Sequence, residues 1–341
     1  MSHCHYTPSR RLMSMAELNH NKTLNMRLAD HLKSLSVELE DHRIANQAER
    51  VKHCSTFWNG FYCESCGKFH GMHTTGCKHR LCPICATRQA RVTAMQAMEA
   101  VEYIRKVNPD MQMSLLTLTQ QNVKGERLAM EVSLMLQAWS AFANRKPIRK
   151  LIGWARTVEI VPALDVTQGT YHPHIHAILI HSPGQAISAE WAAAAWKEAM
   201  YLTYTPVVDV RPIIDEEGAV FEVSKYVSKL TRVFDGSQWE HDHVRYMTEA
   251  MSSRRLKSYG GEWRKARIAL NMMAAEEMPD EALDEYVSND LTGNCPACGN
   301  ATIPACLSWA GLRYRGIKDL RVISMDWADA GGLWTDSSSL S

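Results

Sequence analysis

Residues 170 to 180 read TYHPHIHAILI, and this run constrains the fold more than any other part of the chain. It is β-branched and aliphatic. Alternation with a period of two places His172, His174, His176, Ile178 and Ile180 on one face of a strand, with Tyr171, Ile175, Ala177 and Leu179 on the other. Alternate residues stand roughly 6.6 Å apart, so two adjacent imidazoles can converge on one ion while the outer pair cannot. Pro173 lacks an N–H and suits an edge or the start of a strand, which makes His174 and His176 the better ordered pair and His172 a helper or bystander. A neighbouring strand, WARTVEIV at 154 to 161, offers Glu159 as a third ligand at about 4.8 Å lateral spacing. A lone histidine on a strand is usually just hydrogen-bonded to its surroundings; three on one face favour a ligand set. Two imidazoles and a carboxylate with open positions suit a catalytic divalent ion, since a closed four-ligand cage is structural. Zinc binds such ligands well, but phosphoryl chemistry usually recruits magnesium or manganese.

A second pattern lies at 218 to 234, GAVFEVSKYVSKLTRVF, which reads as a helix. Val223, Val227, Leu230 and Phe234 form a packing stripe, and Glu222, Tyr226 and Lys229 form an adjacent polar stripe about 100° round. Alone, these three would be a rim tyrosine beside an ordinary ion pair. Beside the histidines they suggest a nucleophile. A free phenol has a pKa near 10, so about one in a thousand is ionised at pH 7, a deficit of roughly 4 kcal/mol. A metal on a scissile phosphate and the ammonium of Lys229 are groups that offset it. Attack by Tyr226 would exchange one phosphodiester for a phosphotyrosine ester and free a 3′-hydroxyl that can reverse the step. Glu222, one turn earlier, is placed to activate water or a hydroxyl for a second cleavage.

These motifs resemble the plasmid rolling-circle replication initiators of the HUH endonuclease superfamily. The resemblance rests on LLTLTQQNVKGERL (115 to 128), TYHPHIHAILI and EVSKYVSK in that order, with AERVKHC (48 to 54) and GCKHRLCPICATRQ (76 to 89) similar to a cysteine-rich lead. It covers roughly 48 to 92 and 113 to 235. It implies an α+β fold: an antiparallel sheet with the histidine strand central, flanked by helices and preceded by a zinc-binding segment. It further implies a tyrosine nucleophile at Tyr226 acting through a 5′-phosphotyrosine, a water-activating acid at Glu222, and later rejoining of the displaced strand. The partners it implies are plasmid origin DNA, single-stranded or extruded as a hairpin at the nick site, with a host helicase and polymerase. Two features depart from the family pattern, the additional pair Cys63 and Cys66 and a late CPAC at 295 to 298, and they leave the zinc ligands open.

Ten cysteines are present. No apolar run reaches the 18 or so residues of a membrane span and the start lacks a signal-peptide apolar region, so a cytoplasmic chain is expected, with metal favoured over disulfides. Cys63-x2-Cys66, fifteen residues, then Cys82-x2-Cys85 fits a four-thiolate zinc site. Cys54, Cys77, His70, His73 and His79 crowd the same segment, so another ligand set or a second ion stays open. Cys295, Cys298 and Cys306 resemble an incomplete site, with no histidine after His243 to complete it locally. The net charge of +1 excludes nothing, because DNA binding needs only a local patch, and Lys78, Arg80, Arg88 and Arg91 form a candidate one.

The organisation expected is a helical lead (1–53), a zinc-binding segment (54–95), a catalytic domain (108–236) and a helical C-terminal region (237–341) with a possible second zinc knuckle. Within the catalytic domain, strands are expected at 113–119, 154–161, 170–180 and 206–213, and helices at 125–143 and 187–202. Two other classes compete with the initiator. An HUH transposase of a single-strand insertion element would share the histidines, the tyrosine and a cysteine-rich head, although LLTLTQQN favours the initiator. A non-enzymatic zinc DNA-binding protein would explain the cysteines but leave the histidine strand idle.

Overall fold

The histidine run forms β6 (Thr170–His181), and the fold is built outward from it. The computed structural model describes residues 15–163, 169–214, 220, 234, 239–270, 294, 295, 297–311 and 313–316. β6 pairs antiparallel with β3 (Gln112–Thr119) on one side and β5 (Gly153–Pro162) on the other. β7 (Val208–Pro212) continues the sheet beyond β3 and β8 (Lys257–Gly261) beyond β5, giving the order β7-β3-β6-β5-β8. The two-residue β4 (Val123–Lys124) pairs with the start of β6. The sheet is antiparallel throughout, with the histidine strand central.

Period-two alternation divides β6 between two cores. Tyr171, Ile175, Ala177 and Leu179 join a large core with α4 (Gly125–Ala143), α6 (Ala189–Ala199) and α7 (Glu240–Met251), contributed by Val132, Trp139, Trp196 and Val244 among others. Ile178 and Ile180 face the other way, onto Val101 and Ile104 of α3 (Pro83–Val107) and Trp263 and Ala266 of α8 (Glu262–Ala269). Each such aliphatic side chain contributes about 1.5–3 kcal/mol by leaving water, so the C-terminal half of β6 is pinned on both faces. Its histidine half is packed on one face only, by Tyr171 and Ile175, and the other face carries the imidazoles.

Upstream, α1 (Met15–Glu38) and α2 (His42–His53) form the expected helical lead. Asp41 starts α2 by accepting the Arg43 backbone N–H at 2.8 Å. Strands β1 (Phe57–Cys63) and β2 (Lys68–His73) make a hairpin, and β1 pairs also with β9 (Ile303–Trp309), which carries β10 (Tyr314–Gly316) at its outer edge. This second sheet has the order β10-β9-β1-β2.

The strands and helices expected at 113–119, 125–143, 154–161, 170–180, 187–202 and 206–213 differ from those observed only at their ends. The helix expected at 187–202 starts after Ser188, whose hydroxyl accepts the Trp191 N–H, and Tyr201 at φ 54° stands just past its end. The C-terminal region is not uniformly helical: α7 and α8 lie there, but so do β8, which edges the first sheet, and β9 and β10, which complete the second. The tyrosine segment 221–233, the acidic stretch 276–286 and the serine-rich tail lie outside the described residues. Among the described residues no helix is long and apolar enough to cross a membrane.

Gly261 links β8 to α8 at φ +58°, where a Cβ would come within 2.4 Å of the Ile152 carbonyl oxygen. Gly261→Ala should therefore cost about 1–3 kcal/mol from the backbone conformation alone, with the clash added. Urea unfolding monitored by tryptophan fluorescence measures it, and a midpoint equal to that of the parent chain would contradict this account.

Candidate metal centres and active site

The sheet register brings the three predicted ligands together. Glu159 stands opposite His174 across β5 and β6, and Thr157 and Thr117 stand opposite His176 on its two sides. His174 Nε2 lies 2.9 Å and His176 Nε2 3.0 Å from the same carboxylate oxygen, Glu159 Oε2. The other nitrogen of each ring is held. His174 Nδ1 is 3.1 Å from the His172 carbonyl oxygen, and His176 Nδ1 is 3.1 Å from Thr117 Oγ1. A carbonyl only accepts, so His174 Nδ1 carries the proton, and in a neutral ring Nε2 then points its lone pair at a carboxylate. Two acceptors facing at 2.9 Å repel unless a cation or a proton lies between them. Glu159 is 4% and His174 8% exposed, so water does little to screen that repulsion. Thr157 Oγ1, buried in the same row, has no hydrogen-bond partner among the described residues. The donor set therefore fits a divalent cation held by two imidazoles and a carboxylate, with further coordination positions left for water or substrate.

His172 stands apart from this convergence. Its Nδ1 is 2.9 Å from Asn122 Oδ1, and its ring centre is 5.3 Å from that of His174. Burial, and next the neighbouring His174, hold its pKa below the usual histidine value. Glu222, Tyr226 and Lys229 lie outside the described residues, but Val220 is described. It is 1% exposed and packs in the core beneath Ile178 and Ile180, on the sheet face that carries the histidines.

The thiols separate into two groups. Cys54, Cys77, Cys82 and Cys85 are all buried, with Sγ–Sγ separations of 3.6 Å for Cys54–Cys82 and Cys54–Cys85 and 3.7 Å for Cys77–Cys85. A tetrahedral ion bound at about 2.3 Å to each sulfur needs edges near 3.8 Å, so the spacing fits. Cys54 closes α2 and Cys82 caps α3, whose N-terminal dipole favours negative sulfur. Thiols of Cys77, Cys82 and Cys85 hydrogen-bonding to Cys54 hold its pKa well down, while burial pushes Cys82 up. Lys22 of α1 reaches in, fully buried, donating to the Cys54 and Lys52 carbonyls at 2.6 and 2.8 Å. Burial lowers its pKa and the thiols Cys54, Cys82 and Cys77 oppose that, as expected of a cation set against sulfur charge.

The second group is Cys63, Cys66, Cys295 and Cys298. The expected quartet Cys63, Cys66, Cys82 and Cys85 is thus not assembled. The reason is mechanical: Cys63 ends β1 and Cys54 precedes it, and a strand of that length spans roughly 20 Å. Cys306 belongs to neither group, being buried in β9 with its Sγ turned toward the Leu307 carbonyl.

The model of a family described as "Replication protein" matches residues 69–294, two thirds of the chain. The chain belongs to that family. Three proteins called "Protein rep" are similar to this replication protein over most of their length. That of Bacillus amyloliquefaciens is 32% identical over 257 residues, covering 67% of this chain and 75% of the relative. That of a Bacillus species is 32% identical over 260 residues, covering 68% and 83%. That of Lentilactobacillus hilgardii is 31% identical over 250 residues, covering 67% and 78%. No solved structure matches.

In the replication protein the predicted basic patch is not one surface. Arg88 is 5% exposed and donates to the Thr74 carbonyl, and Arg80 donates to the Arg254 carbonyl at 2.9 Å and to that of Met251. Both fasten the loop around the first thiol group; Arg88 is thereby buried, while Arg80 stays half-buried beside the cleft that Lys78 lines. Burial also lowers the pKa of Arg91, with Glu17 opposing. Lys78, at φ 56°, lines a cleft of about 300 Å³ together with Arg50, His79 and Ser252. Reading the sequence missed Lys22, Thr117 and Asn122. Thr117 sits on β3 inside LLTLTQQN and was within reach of strand alternation; Asn122 lies just past that strand, and nothing local marks Lys22 as buried.

Thr117→Val removes the hydroxyl that orients His176 while keeping its shape. It should weaken Mn2+ binding about 10–100-fold, and Glu159→Ala should weaken it further, both with melting temperatures close to the parent's. Titration of free Mn2+ by electron paramagnetic resonance reads this, and unchanged affinity in both variants would remove the proposed ion site.

Proposed function

We propose that this replication protein initiates rolling-circle replication of a plasmid by nicking one DNA strand at the origin through Tyr226 and later rejoining the displaced strand. The observation that carries the reading is the meeting of His174 and His176 on Glu159, on the sheet face from which Val220 leads into the tyrosine segment. A magnesium or manganese ion held by Glu159, His174 and His176 would neutralise charge on the scissile phosphate.

The protein's own groups then supply the rest. Tyr226 Oη attacks phosphorus as its proton departs; the new O–P bond replaces the bond to the 3′ oxygen, which leaves with the electron pair and is protonated to the primer hydroxyl. Lys229 stabilises the phenolate or a phosphate oxygen. Thr117 and the His172 carbonyl keep both imidazoles oriented, so no reorganisation is needed on substrate binding. Glu222 takes a proton from water or a hydroxyl for the terminating cleavage, which the esterified tyrosine cannot perform. Structural zinc is assigned to Cys54, Cys77, Cys82 and Cys85, where it would lock α2 to α3 and so fix the helical lead on the catalytic sheet. Origin DNA is the substrate, and a host helicase and polymerase are the expected partners after the nick. The family membership favours an initiator over an insertion-element transposase, and the ligand geometry favours an enzyme over a zinc-dependent binder.

Incubating the protein with a labelled single-stranded origin oligonucleotide and Mn2+ should give a detergent-resistant adduct. Tyr226→Phe should bind the oligonucleotide yet form none, because only the attacking hydroxyl is lost; normal adduct formation would sink the assignment. Glu222→Ala should still form the first adduct but fail to terminate, leaving over-length single strands in a replication assay. If Glu222→Ala abolishes the first adduct instead, the division of labour between the two residues is wrong.

A further inference from the structure

The two features that depart from the family pattern are, in space, one feature. Cys63-Glu-Ser-Cys66-Gly67 and Cys295-Pro-Ala-Cys298-Gly299 have the same spacing and the same turn. Gly67 sits at φ +66° and its N–H donates to the Cys63 carbonyl at 2.9 Å; Gly299 sits at φ +75° and its N–H donates to the Cys295 carbonyl at 2.7 Å. A left-handed residue after the second cysteine turns the chain back so that both sulfurs of a pair point the same way, and glycine adopts that conformation without strain.

The two turns face each other. Cys63 Sγ lies 3.5 Å from Cys298 Sγ and Cys66 Sγ 3.5 Å from Cys295 Sγ, all four sulfurs lie within 4.8 Å of one another, and all four are free thiols. A third element points at the same spot. His70, 1% exposed, brings Nε2 to 3.3 Å from Cys295 Sγ, and its Nδ1 has no hydrogen-bond partner among the described residues. Asn300 Nδ2 approaches Cys298 Sγ at 3.5 Å. Donors aimed at sulfur are what a four-thiolate site, with a net charge of −2 once a divalent ion is bound, requires around it. Packing holds this sheet at one end only: Trp58, Phe69 and Leu307 join the large core, with Tyr62, Ala305 and Trp309 partly buried against it, whereas Ile303 at the start of β9 is exposed. All four thiols lie outside residues 69–294, the stretch that the family model matches.

We infer that Cys63, Cys66, Cys295 and Cys298 bind a second zinc ion, which clasps the C-terminal strand pair β9–β10 onto the β1–β2 hairpin. Four thiolates at tetrahedral spacing select zinc among common divalent ions, and the closed ligand set makes the site structural, not catalytic. His70 supports it by donating to the Cys295 sulfur.

Elemental analysis of the purified full-length chain should give two zinc ions, and Cys295→Ser/Cys298→Ser one, with Cys306→Ser retaining two. Equal zinc in the parent and the double variant would overturn the site. Cys298 provides a test that needs no variant, because it is solvent-exposed. In the native protein it should resist alkylation until a chelator is added, as followed by peptide mass spectrometry. Immediate alkylation without chelator overturns the inference, and so does protection released by reductant instead of chelator, which would mean a disulfide. Adduct formation on the oligonucleotide, measured on the same samples, should persist in the double variant; absence of adduct in the parent chain, with zinc behaving as stated, would count against the Tyr226 reading and not against this one.

Discussion

The pairing of β6 with β3 and β5 at one fixed register is the constraint on which the site depends. Shifting β6 by a single residue against either neighbour would turn His174 and His176 to the opposite face and put Ile175 and Ala177 in their place. The isoleucines prevent it. Ile178 and Ile180 are committed to the core under α3 and α8, and Ile175, Ala177 and Leu179 to the core under α4 and α6, so a slip would expose both sets at once. Hydrophobic burial along the strand thus fixes which face, and which positions opposite β3 and β5, the histidines occupy.

How legible this was follows from the range of each signal. Alternation within TYHPHIHAILI is local, so the face carrying the histidines and the pair favoured for the ion were readable from the chain, and Glu159 was reachable because an adjacent strand of matching length suggested itself. The fold of the catalytic sheet followed for the same reason: its strands and helices carry their own periodicity. What resisted reading was long-range. Cysteine spacing suggested that Cys63 and Cys66 join Cys82 and Cys85, since they are neighbours in the chain; but Cys82 and Cys85 meet Cys54, from which β1 carries Cys63 away, and the partners of Cys63 and Cys66 come from 235 and 229 positions further along. The shared C-x2-C-G turn was the available clue. Charge was misleading too: Arg80 and Arg88 look like a DNA-facing run, but they donate hydrogen bonds to the Arg254 and Thr74 carbonyls around the first thiol group.

Lys22 shows how the helical lead is tied into this arrangement. An ammonium buried without solvent is unfavourable unless charge and acceptors compensate it, and here the two carbonyls at the end of α2 and the sulfurs beyond them do so. That one side chain thus ties α1 to the end of α2 beside the first thiol group.

The pairing of β1 with β9 has a consequence for how the chain is made. Phe57 meets Ser308 in that register, so β1 leaves the ribosome with one edge unmatched and stays so until some 250 residues later. At synthesis rates of about 5–20 residues per second that interval is on the order of 10–50 s, long compared with the microseconds in which the β1–β2 hairpin can close. The catalytic sheet, whose strands all lie between residues 112 and 261, can complete itself during the wait. A nascent chain can therefore own a finished histidine site while its first sheet still offers a bare strand edge to other chains.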